Sequence, residues 1–211
     1  MNVIFINGSP RKNWNTAQLL KAAQKGAESV GAATEYIDLY DLTFSGCRSC
    51  LGCKRKGATP CRCIWKDELS PLLERVYQAD RLVLGSPIYF GQPTAGLRAF
   101  LERLIFPALS YNDYSCLFKG HLDVDVFLTM NAPREFYDAT YAQSLQEYFA
   151  PFRFLNGKLR LIPICDTLQV KDYSKYDMAG FSEEHKQALH AEQFPQELER
   201  AFQPGAGRAE E

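Results

Sequence analysis

The stretch that decides the fold is Val3-Ile4-Phe5-Ile6-Asn7-Gly8-Ser9-Pro10-Arg11-Lys12-Asn13-Trp14-Asn15-Thr16, close to the N-terminus. Its opening apolar residues are typical of a strand that is buried on both faces. A polar loop follows, and apolar side chains then recur at helical spacing at Leu19, Leu20, Ala23, Ala27 and Val30. The segment therefore predicts a β-strand, a short polar loop and an α-helix in direct succession.

The loop between this strand and helix has the composition of a phosphate-binding turn. A helix N-terminus leaves backbone N–H groups unpaired and carries partial positive charge, which suits a phosphate. Ser9 and Thr16 add hydroxyl donors, and Arg11 adds a guanidinium group. An ordinary polar turn between a strand and a helix is the alternative interpretation.

Motifs that are missing and a second loop that is present limit which class of nucleotide this turn is expected to bind. Neither G-x-G-x-x-G nor G-x-x-x-x-G-K-[ST] follows the strand, which disfavours ATP, GTP and a Rossmann-bound dinucleotide. A second apolar strand at 81–86 runs into a loop of small and aromatic residues at 87–91. Because ligands of an open parallel sheet lie beyond the carboxyl ends of its strands, these two loops together favour FMN.

The same segments resemble a known family. G-S-P-R-K-N-W-N-T at 8–16 and S-P-I-Y-F-G at 86–91, followed by residues 97–103, resemble the NADPH-dependent FMN reductase branch of the flavodoxin-like proteins. The resemblance is to the iron–sulfur flavoprotein subgroup and covers residues 1–130 well. Trp14 departs from the pattern, since such loops usually carry glycine there.

The resemblance implies a set of cofactor contacts. The FMN phosphate is expected to bind Ser9, Arg11, Asn15 and Thr16. The ribityl chain and isoalloxazine ring are expected to lie along Pro87, Ile88, Tyr89, Phe90 and Gly91. The resemblance also implies NAD(P)H as a co-substrate and a homo-oligomer, either a dimer or a tetramer, in which a neighbouring subunit completes the flavin pocket.

Cysteines form the second group of candidate site residues. Five of the seven lie between Cys47 and Cys63. The C-x2-C-x2-C spacing of Cys47, Cys50 and Cys53 is that of bacterial [4Fe–4S] ferredoxins. The resemblance to the subgroup indicates Cys63 as the fourth ligand, because an apolar pair and an acidic pair follow it, with Cys61 as the substitute. Zinc, disulfides and a motif without metal are the alternative interpretations.

The cysteine segment is also basic. Residues 47–66 contain six Lys and Arg and no acidic residue, within a chain of net charge −1. Cations near an anionic cluster stabilise it and raise its reduction potential. The same patch is suited to docking an acidic electron carrier such as a ferredoxin. A solvated basic loop is the alternative interpretation.

Two further loops are candidates for contact with the flavin. In the loop after the fourth strand, Asn131 is a candidate hydrogen-bond partner of the ring, and Arg134 is a candidate for stabilising negative charge on the reduced flavin; ordinary turn chemistry is the alternative. Residues 166–181 form a polar, aromatic loop that either covers the ring or makes a subunit contact. We expect no catalytic acid or base, and predict that His121, His185 and His190 lie on the surface.

The element pattern predicts an α/β fold with one domain at 1–203, a Cys-rich insertion at 44–66 and a disordered tail at 204–211. Strands are predicted near 2–6, 34–39, 81–86, 122–128 and 158–164. Helices are predicted near 16–30, 67–78, 93–105, 138–149 and 183–202. This alternation favours a flavodoxin-like three-layer sandwich, in which a five-stranded parallel sheet of order 2-1-3-4-5 has helices on both faces. Pro163 belongs on an edge strand, because it cannot donate a ladder hydrogen bond.

Composition excludes some classes of function. Without an apolar stretch of about 20 residues, no membrane span is expected, and a pI near 6.3 argues against nucleic acid. A core strand directly after Met1, with no signal peptide, predicts a cytoplasmic location. We therefore expect an FMN oxidoreductase that relays electrons between FMN and a [4Fe–4S] cluster, with NAD(P)H, quinone or ferredoxin as donor or acceptor. A cluster-free NAD(P)H-dependent FMN or quinone reductase and a zinc-stabilised interaction module are the alternatives.

Overall fold

A computed structural model describes residues 1–203, and five parallel strands form its single sheet. The strands are β1 (Asn2–Asn7), β2 (Ala33–Asp38), β3 (Arg81–Pro87), β4 (Leu122–Thr129) and β5 (Asn156–Ile164). Their order is β2-β1-β3-β4-β5, and each neighbouring pair is parallel. The predicted flavodoxin-like sheet is confirmed. The tail predicted at 204–211 lies outside the described residues.

Seven α-helices occur in this part of the chain, two more than predicted. They are α1 (Asn15–Ser29), α2 (Leu69–Val76), α3 (Ala95–Ile105), α4 (Arg134–Thr140), α5 (Ala142–Phe149), α6 (Glu183–Glu192) and α7 (Phe194–Phe202). The single helices predicted at 138–149 and 183–202 were wrong, since each region contains two helices. Pro195 lies in the first turn of α7. Backbone N–H groups there have no acceptor within the helix, so the N–H that proline lacks costs no hydrogen bond.

Alternate residues of the central strands pack on opposite faces of the sheet. Val3 and Phe5 of β1 belong to the core that includes α1 and α7. Ile4 and Ile6 belong to the core that includes α2, α3 and α5. The central positions of β1 therefore lie between two helical layers, which is the reason for the continuous apolar run from Val3 to Ile6.

β5 forms one edge of the sheet, and Pro163 lies on it opposite Leu128 of β4. The edge position predicted for this proline is confirmed. No helix among residues 1–203 is long and apolar enough to cross a bilayer.

The loops that follow the strands emerge together at the carboxyl end of the sheet. The insertion follows β2, and the two predicted flavin loops follow β1 and β3. The Gly8 N–H donates to the Gly85 carbonyl oxygen at 2.7 Å. A Cβ on Gly85 would lie 2.7 Å from side-chain carbons of Leu20 and Thr16. Glycine at this position lets α1 approach the sheet closely enough to place its first turn at the edge.

Candidate functional site

A cavity of about 150 Å³ lies where β1, β3 and β4 end. It gathers most of the residues that the sequence analysis proposed for FMN. Those that line the cavity are Ser9, Arg11, Asn15, Thr16, Pro87, Ile88, Tyr89 and Asn131. Residues separated by more than a hundred positions in sequence therefore share one concave surface.

Three other candidates lie outside this cavity. The Phe90 side chain is fully exposed, with a left-handed backbone at φ 51°. Gly91 is also left-handed, at φ 76°, and lies against the Tyr141 ring. Arg134 opens α4, where its Nε donates to Asp138 at 2.9 Å. Of the aromatic pair after β3, Tyr89 alone lines the cavity.

The first turn of α1 forms one wall of the cavity. Trp14 is the N-cap residue, and no side chain among the described residues caps this helix end. Because an indole cannot accept a hydrogen bond from the backbone, the first amides of the helix stay available to a ligand. Asn15 and Thr16 are both buried here, and the Thr16 and Thr129 hydroxyls share a hydrogen bond of 2.8 Å.

The loop after β5 closes another side, and we call its residues 166–169 the strap. The Arg11 Nη1 donates to the Gln169 carbonyl oxygen at 2.6 Å. The Leu168 carbonyl oxygen accepts from Trp14 Nε1 at 2.9 Å and from Asn15 Nδ2 at 2.8 Å. From the sequence this loop was expected either to cover the flavin ring or to make a subunit contact. The bonds of its carbonyls to the predicted phosphate donors were not predicted, and its position after β5 was the signal available.

A second, smaller pocket lies on the cysteine-rich insertion. Cys47, Cys50, Cys53 and Cys63 all line it. It has a volume of about 20 Å³, room for about one water molecule. All seven cysteines are free thiols, and no three His, Cys, Asp or Glu side chains of residues 1–203 lie close enough together to hold a metal ion. The four predicted ligands thus share a pocket at a wider spacing than metal ligands adopt.

Cys61 is absent from the lining of this pocket. Its backbone is left-handed at φ 60°, and its N–H donates to the Pro107 carbonyl oxygen at 3.2 Å. Burial, with the Cys116 thiol nearby, raises the pKa of Cys61 to about 11. Between the two candidates for the fourth ligand, Cys63 is the one that faces the other three cysteines.

Arg103 of α3 holds this pocket together from inside the protein. Its side chain is 1% exposed. The Nε donates to the Cys63 Sγ at 3.0 Å, Nη1 donates to the Ser45 carbonyl oxygen at 3.1 Å, and Nη2 donates to that of Trp65 at 2.9 Å. One guanidinium therefore joins the start and the end of the insertion to α3.

Asp67 neutralises the buried charge of Arg103. Its Oδ2 accepts from Arg103 Nη1 at 2.7 Å. Burial opposes ionisation of this carboxyl, but the Arg103 hydrogen bond and charge hold the pKa of Asp67 below its usual value. Neither residue was given a role from the sequence, although Asp67 belongs to the acidic pair that follows Cys63. A further signal was the position of Arg103, three residues after Phe100 on the apolar face of α3.

The outer face of the insertion carries positive charge around a broad cavity of about 660 Å³. Its cations are Arg55, Lys56, Arg62 and Lys66. Glu74 lies on the same rim and pairs with Arg62 at 3.5 Å. Four of the six cations predicted for the basic patch therefore lie on this face, whereas Arg48 lines the cysteine pocket and Lys54 donates to the Phe106 and Leu109 carbonyl oxygens. Cys63 lines both this cavity and the cysteine pocket.

Donor chemistry at both sites fits the expected cofactors. Four thiols match the thiolate ligands that a [4Fe–4S] cluster requires, and the buried guanidinium beside them would stabilise its negative charge. Uncapped helix amides, two hydroxyls and an arginine match a phosphate monoester. His121 and His185 are exposed as predicted. The prediction was wrong for His190, which is partly buried and stacks on Phe194 with 4.8 Å between ring centroids.

Comparison with curated proteins identifies relatives of about half of the chain. An iron–sulfur flavoprotein from Methanocaldococcus jannaschii is 37% identical over 103 residues, covering 49% of this chain and 51% of that protein. Another from Archaeoglobus fulgidus is 31% identical over 105 residues, covering 50% of this chain and 46% of that protein. The chain spans about half the length of the curated relatives it matches.

Solved structures share the whole fold. An NAD(P)H:quinone oxidoreductase from Methanothermobacter marburgensis has a TM-score of 0.74 at 17% identity, over 98% of both chains. An FMN-dependent NADH-azoreductase from Bacillus anthracis, in complex with FMN, has a TM-score of 0.58 at 14% identity, over 95% of this chain and 98% of that one. At these identities the likeness shows the fold alone.

A family model identifies the family of the chain. The model described as NADPH-dependent FMN reductase matches residues 1–119, which is more than half of the sequence. The matched range includes β1, the loop that opens α1, β3 and the cysteine-rich insertion. The chain therefore belongs to the NADPH-dependent FMN reductase family.

Proposed function

We propose that the protein is an FMN-dependent oxidoreductase that passes electrons between FMN and a [4Fe–4S] cluster held by Cys47, Cys50, Cys53 and Cys63. The observation that carries this proposal is the common pocket of those four cysteines, from which Cys61 is excluded. The family match and the relatives that are iron–sulfur flavoproteins support it.

The FMN part of the proposal rests on the larger cavity. The amides of the first turn of α1, with Ser9, Arg11 and Thr16, bind the phosphate. A cavity of about 150 Å³ is smaller than the roughly 300–1,000 Å³ of most ligand pockets. It therefore takes the phosphate and part of the ribityl chain, while the ring lies at the rim beside Tyr89 and Asn131.

The residues of this chain bind and orient rather than transfer protons. When bound, FMN accepts a hydride and releases single electrons, and a [4Fe–4S] cluster carries one electron at a time. Tyr89 is 47% exposed at the rim, so the site leaves an open approach for a nicotinamide or a quinone. Asn131 lines the cavity, and in this proposal its side-chain carbonyl hydrogen-bonds the edge of the ring.

NAD(P)H, a quinone or a ferredoxin completes the electron path in this proposal. The basic outer face of the insertion, with Arg55, Lys56, Arg62 and Lys66, suits an acidic ferredoxin. Electron transfer from ferredoxin is then expected to slow as salt rises, because exposed charges are screened within about 10 Å at 0.1 M salt. A rate that does not change with salt would contradict ferredoxin docking at this face.

Two further expectations belong to the same proposal. A homo-oligomer, either a dimer or a tetramer, would complete the flavin pocket, and light scattering coupled to gel filtration measures its mass. A cytoplasmic location agrees with seven unpaired cysteines, since reducing compartments keep thiols free. Cell fractionation tests the location.

A cluster-free NAD(P)H-dependent FMN or quinone reductase is the second candidate. The observation that favours it is the cysteine pocket itself, which has room for about one water and thiols wider apart than metal ligands. In that case the cysteines are residual. A zinc-stabilised interaction module that has lost the flavin is the remaining alternative.

Anaerobic purification of Cys50→Ala and Cys61→Ala separates these candidates. We expect Cys50→Ala to lose iron and acid-labile sulfide and to keep FMN, whereas the matched control Cys61→Ala keeps all three. Stoichiometric iron in Cys50→Ala would refute the ligand assignment. A wild-type protein that is yellow and free of iron would favour the cluster-free reductase, and a colourless one that contains zinc would favour the interaction module.

A further inference from the structure

Lys186 is a buried cation on a helix whose other charged side chains are solvated. It lies on α6 with 4% of its surface exposed. Its Nζ donates to the Asp166 Oδ1 at 2.6 Å and to the Asn131 carbonyl oxygen. Burying an ammonium group costs free energy unless the group is paired and hydrogen-bonded. These two contacts meet both conditions for Lys186. Both acceptors belong to loops at the carboxyl end of the sheet.

Asp166 begins the strap in a constrained conformation. Its backbone is left-handed at φ 55°, which is unfavourable for a residue with a side chain. The Asp166 N–H donates to the Ala132 carbonyl oxygen at 2.9 Å. The Thr167 N–H and hydroxyl both donate to the Met130 carbonyl oxygen at 3.0 Å. The strap is thereby attached to the loop after β4, and Lys186 clamps the two together.

From the strap, hydrogen bonds continue into the larger cavity. The Asn131 Nδ2 donates to the Gln169 Oε1. The Gln169 carbonyl oxygen accepts from Arg11, and the Leu168 carbonyl oxygen accepts from Asn15. A continuous set of contacts therefore runs from α6 to the two side chains that lie beside the first turn of α1.

We propose that Lys186 is a positioning residue for the FMN phosphate. Paired with Asp166 it holds the strap, and the strap carbonyls hold Arg11 and Asn15 facing the phosphate position. Arg11 has five N–H donors and Asn15 has two, so each keeps donors for the ligand after bonding the strap. This inference rests on the FMN part of the proposed function and adds a residue outside the range that the family model matches.

The test measures FMN and riboflavin binding to the flavin-free full-length protein by flavin fluorescence. Lys186→Met and the double variant Lys186→Met/Asp166→Asn are compared with Lys175→Met, whose exposed ammonium pairs with Asp172 at 3.0 Å. We expect Lys186→Met and the double variant to bind FMN about tenfold more weakly than wild type, which corresponds to about 1.4 kcal/mol. Riboflavin lacks the phosphate, so its dissociation constant is expected to change much less. Lys175→Met leaves both constants unchanged.

The ratio of the two dissociation constants decides the outcome. Equal loss of FMN and riboflavin binding would overturn the proposal, because Lys186 would then only support the fold. Recovery of FMN binding in the double variant would also overturn it, since the single variant would have suffered from an unpaired buried carboxylate. If Lys186→Met does not fold, Asp166→Asn alone must raise the FMN constant selectively, because asparagine tolerates the left-handed backbone. Wild-type protein that binds no FMN would instead refute the proposed function.

Discussion

The larger cavity and the cysteine pocket are built in opposite ways. The cavity is formed where β1, β3 and β4 end, and its walls are fixed by the hydrogen-bonded sheet and the first turn of α1. The cysteine pocket lies on an insertion whose regular structure within the described chain is a 3₁₀ turn at Gly52–Lys54. A site on strand ends is held by many backbone bonds, whereas a site on a loop depends on a few side chains.

Backbone conformation shows the same contrast. In the insertion Ser49, Leu51 and Cys61 are left-handed, with φ of 52°, 55° and 60°. Each such residue costs about 1–2 kcal/mol and persists only where its surroundings hold it. The loop at residues 8–14 has no left-handed residue in the described structure. Left-handed residues are therefore concentrated in the insertion, whereas the loops after β3 and β5 each have one with a side chain, Phe90 and Asp166. The buried side chain of Arg103 stabilises the insertion from within.

Replacing Arg103 by methionine is expected to have the largest effect. The change removes hydrogen bonds to both ends of the insertion and leaves the partly buried Asp67 without its partner. Breaking a buried ion pair in this way costs about 3–5 kcal/mol in the free energy of unfolding. Urea unfolding measures that loss, and iron analysis is expected to show a depleted cluster with FMN retained.

Arg98→Met is the control for this change, since Arg98 lies on the same helix, is 57% exposed and pairs with Glu102. It is expected to change stability by less than about 1 kcal/mol. Loss of FMN together with iron in Arg103→Met would contradict the contrast between the two sites, because both would then depend on Arg103.

Gly85→Ala tests the sheet-built site and is expected to have an intermediate effect. The new methyl group would meet Leu20 and Thr16 at 2.7 Å, which displaces the first turn of α1 from the sheet. Overpacking of this kind costs about 1–3 kcal/mol in stability. Isothermal titration is expected to show weaker FMN binding with the iron content unchanged.

Gly180→Ala serves as its control, because a Cβ there would meet nothing within 4 Å. If Gly85→Ala bound FMN as tightly as wild type, the close approach of α1 would not set the geometry of the phosphate site.

The smallest expected effect is the pH dependence contributed by Asp67. Its pKa is lower in the folded protein than the usual 3.8, so its contribution to stability is present above about pH 4 and is lost as pH falls through the folded value. Asp67→Asn does not titrate. The stability difference between wild type and this variant, measured by urea unfolding, is therefore expected to shrink as pH falls below about 4. A constant difference would show that the Arg103–Asp67 pair does not depend on charge.

Local sequence patterns were sufficient for the sheet and for much of the site. The apolar runs of β1 and β3 are buried on both faces. A strand with apolar side chains on both faces is stable in a sheet that is covered on both sides. Its following loop then has to lie at the carboxyl edge, which places Ser9, Thr16 and Tyr89 together. The divided helices were not foreseen, because apolar periodicity continues across Tyr141 and Gln193, although each of these residues ends one helix and begins the next.

Sequence spacing singled out Cys47, Cys50 and Cys53, and the family resemblance indicated Cys63 rather than Cys61 as the fourth ligand. The contact of Arg103 with the Cys63 sulfur, across 40 residues in sequence, was not predicted. The strap likewise meets Arg11 across 158 residues. Such contacts depend on which face of a helix or loop a side chain occupies after the chain has folded, and periodicity and spacing carry no information about partners that far apart. The sequence by itself therefore determined the strands and the side chains that follow them, whereas tertiary packing decided which distant residues hold each site in place.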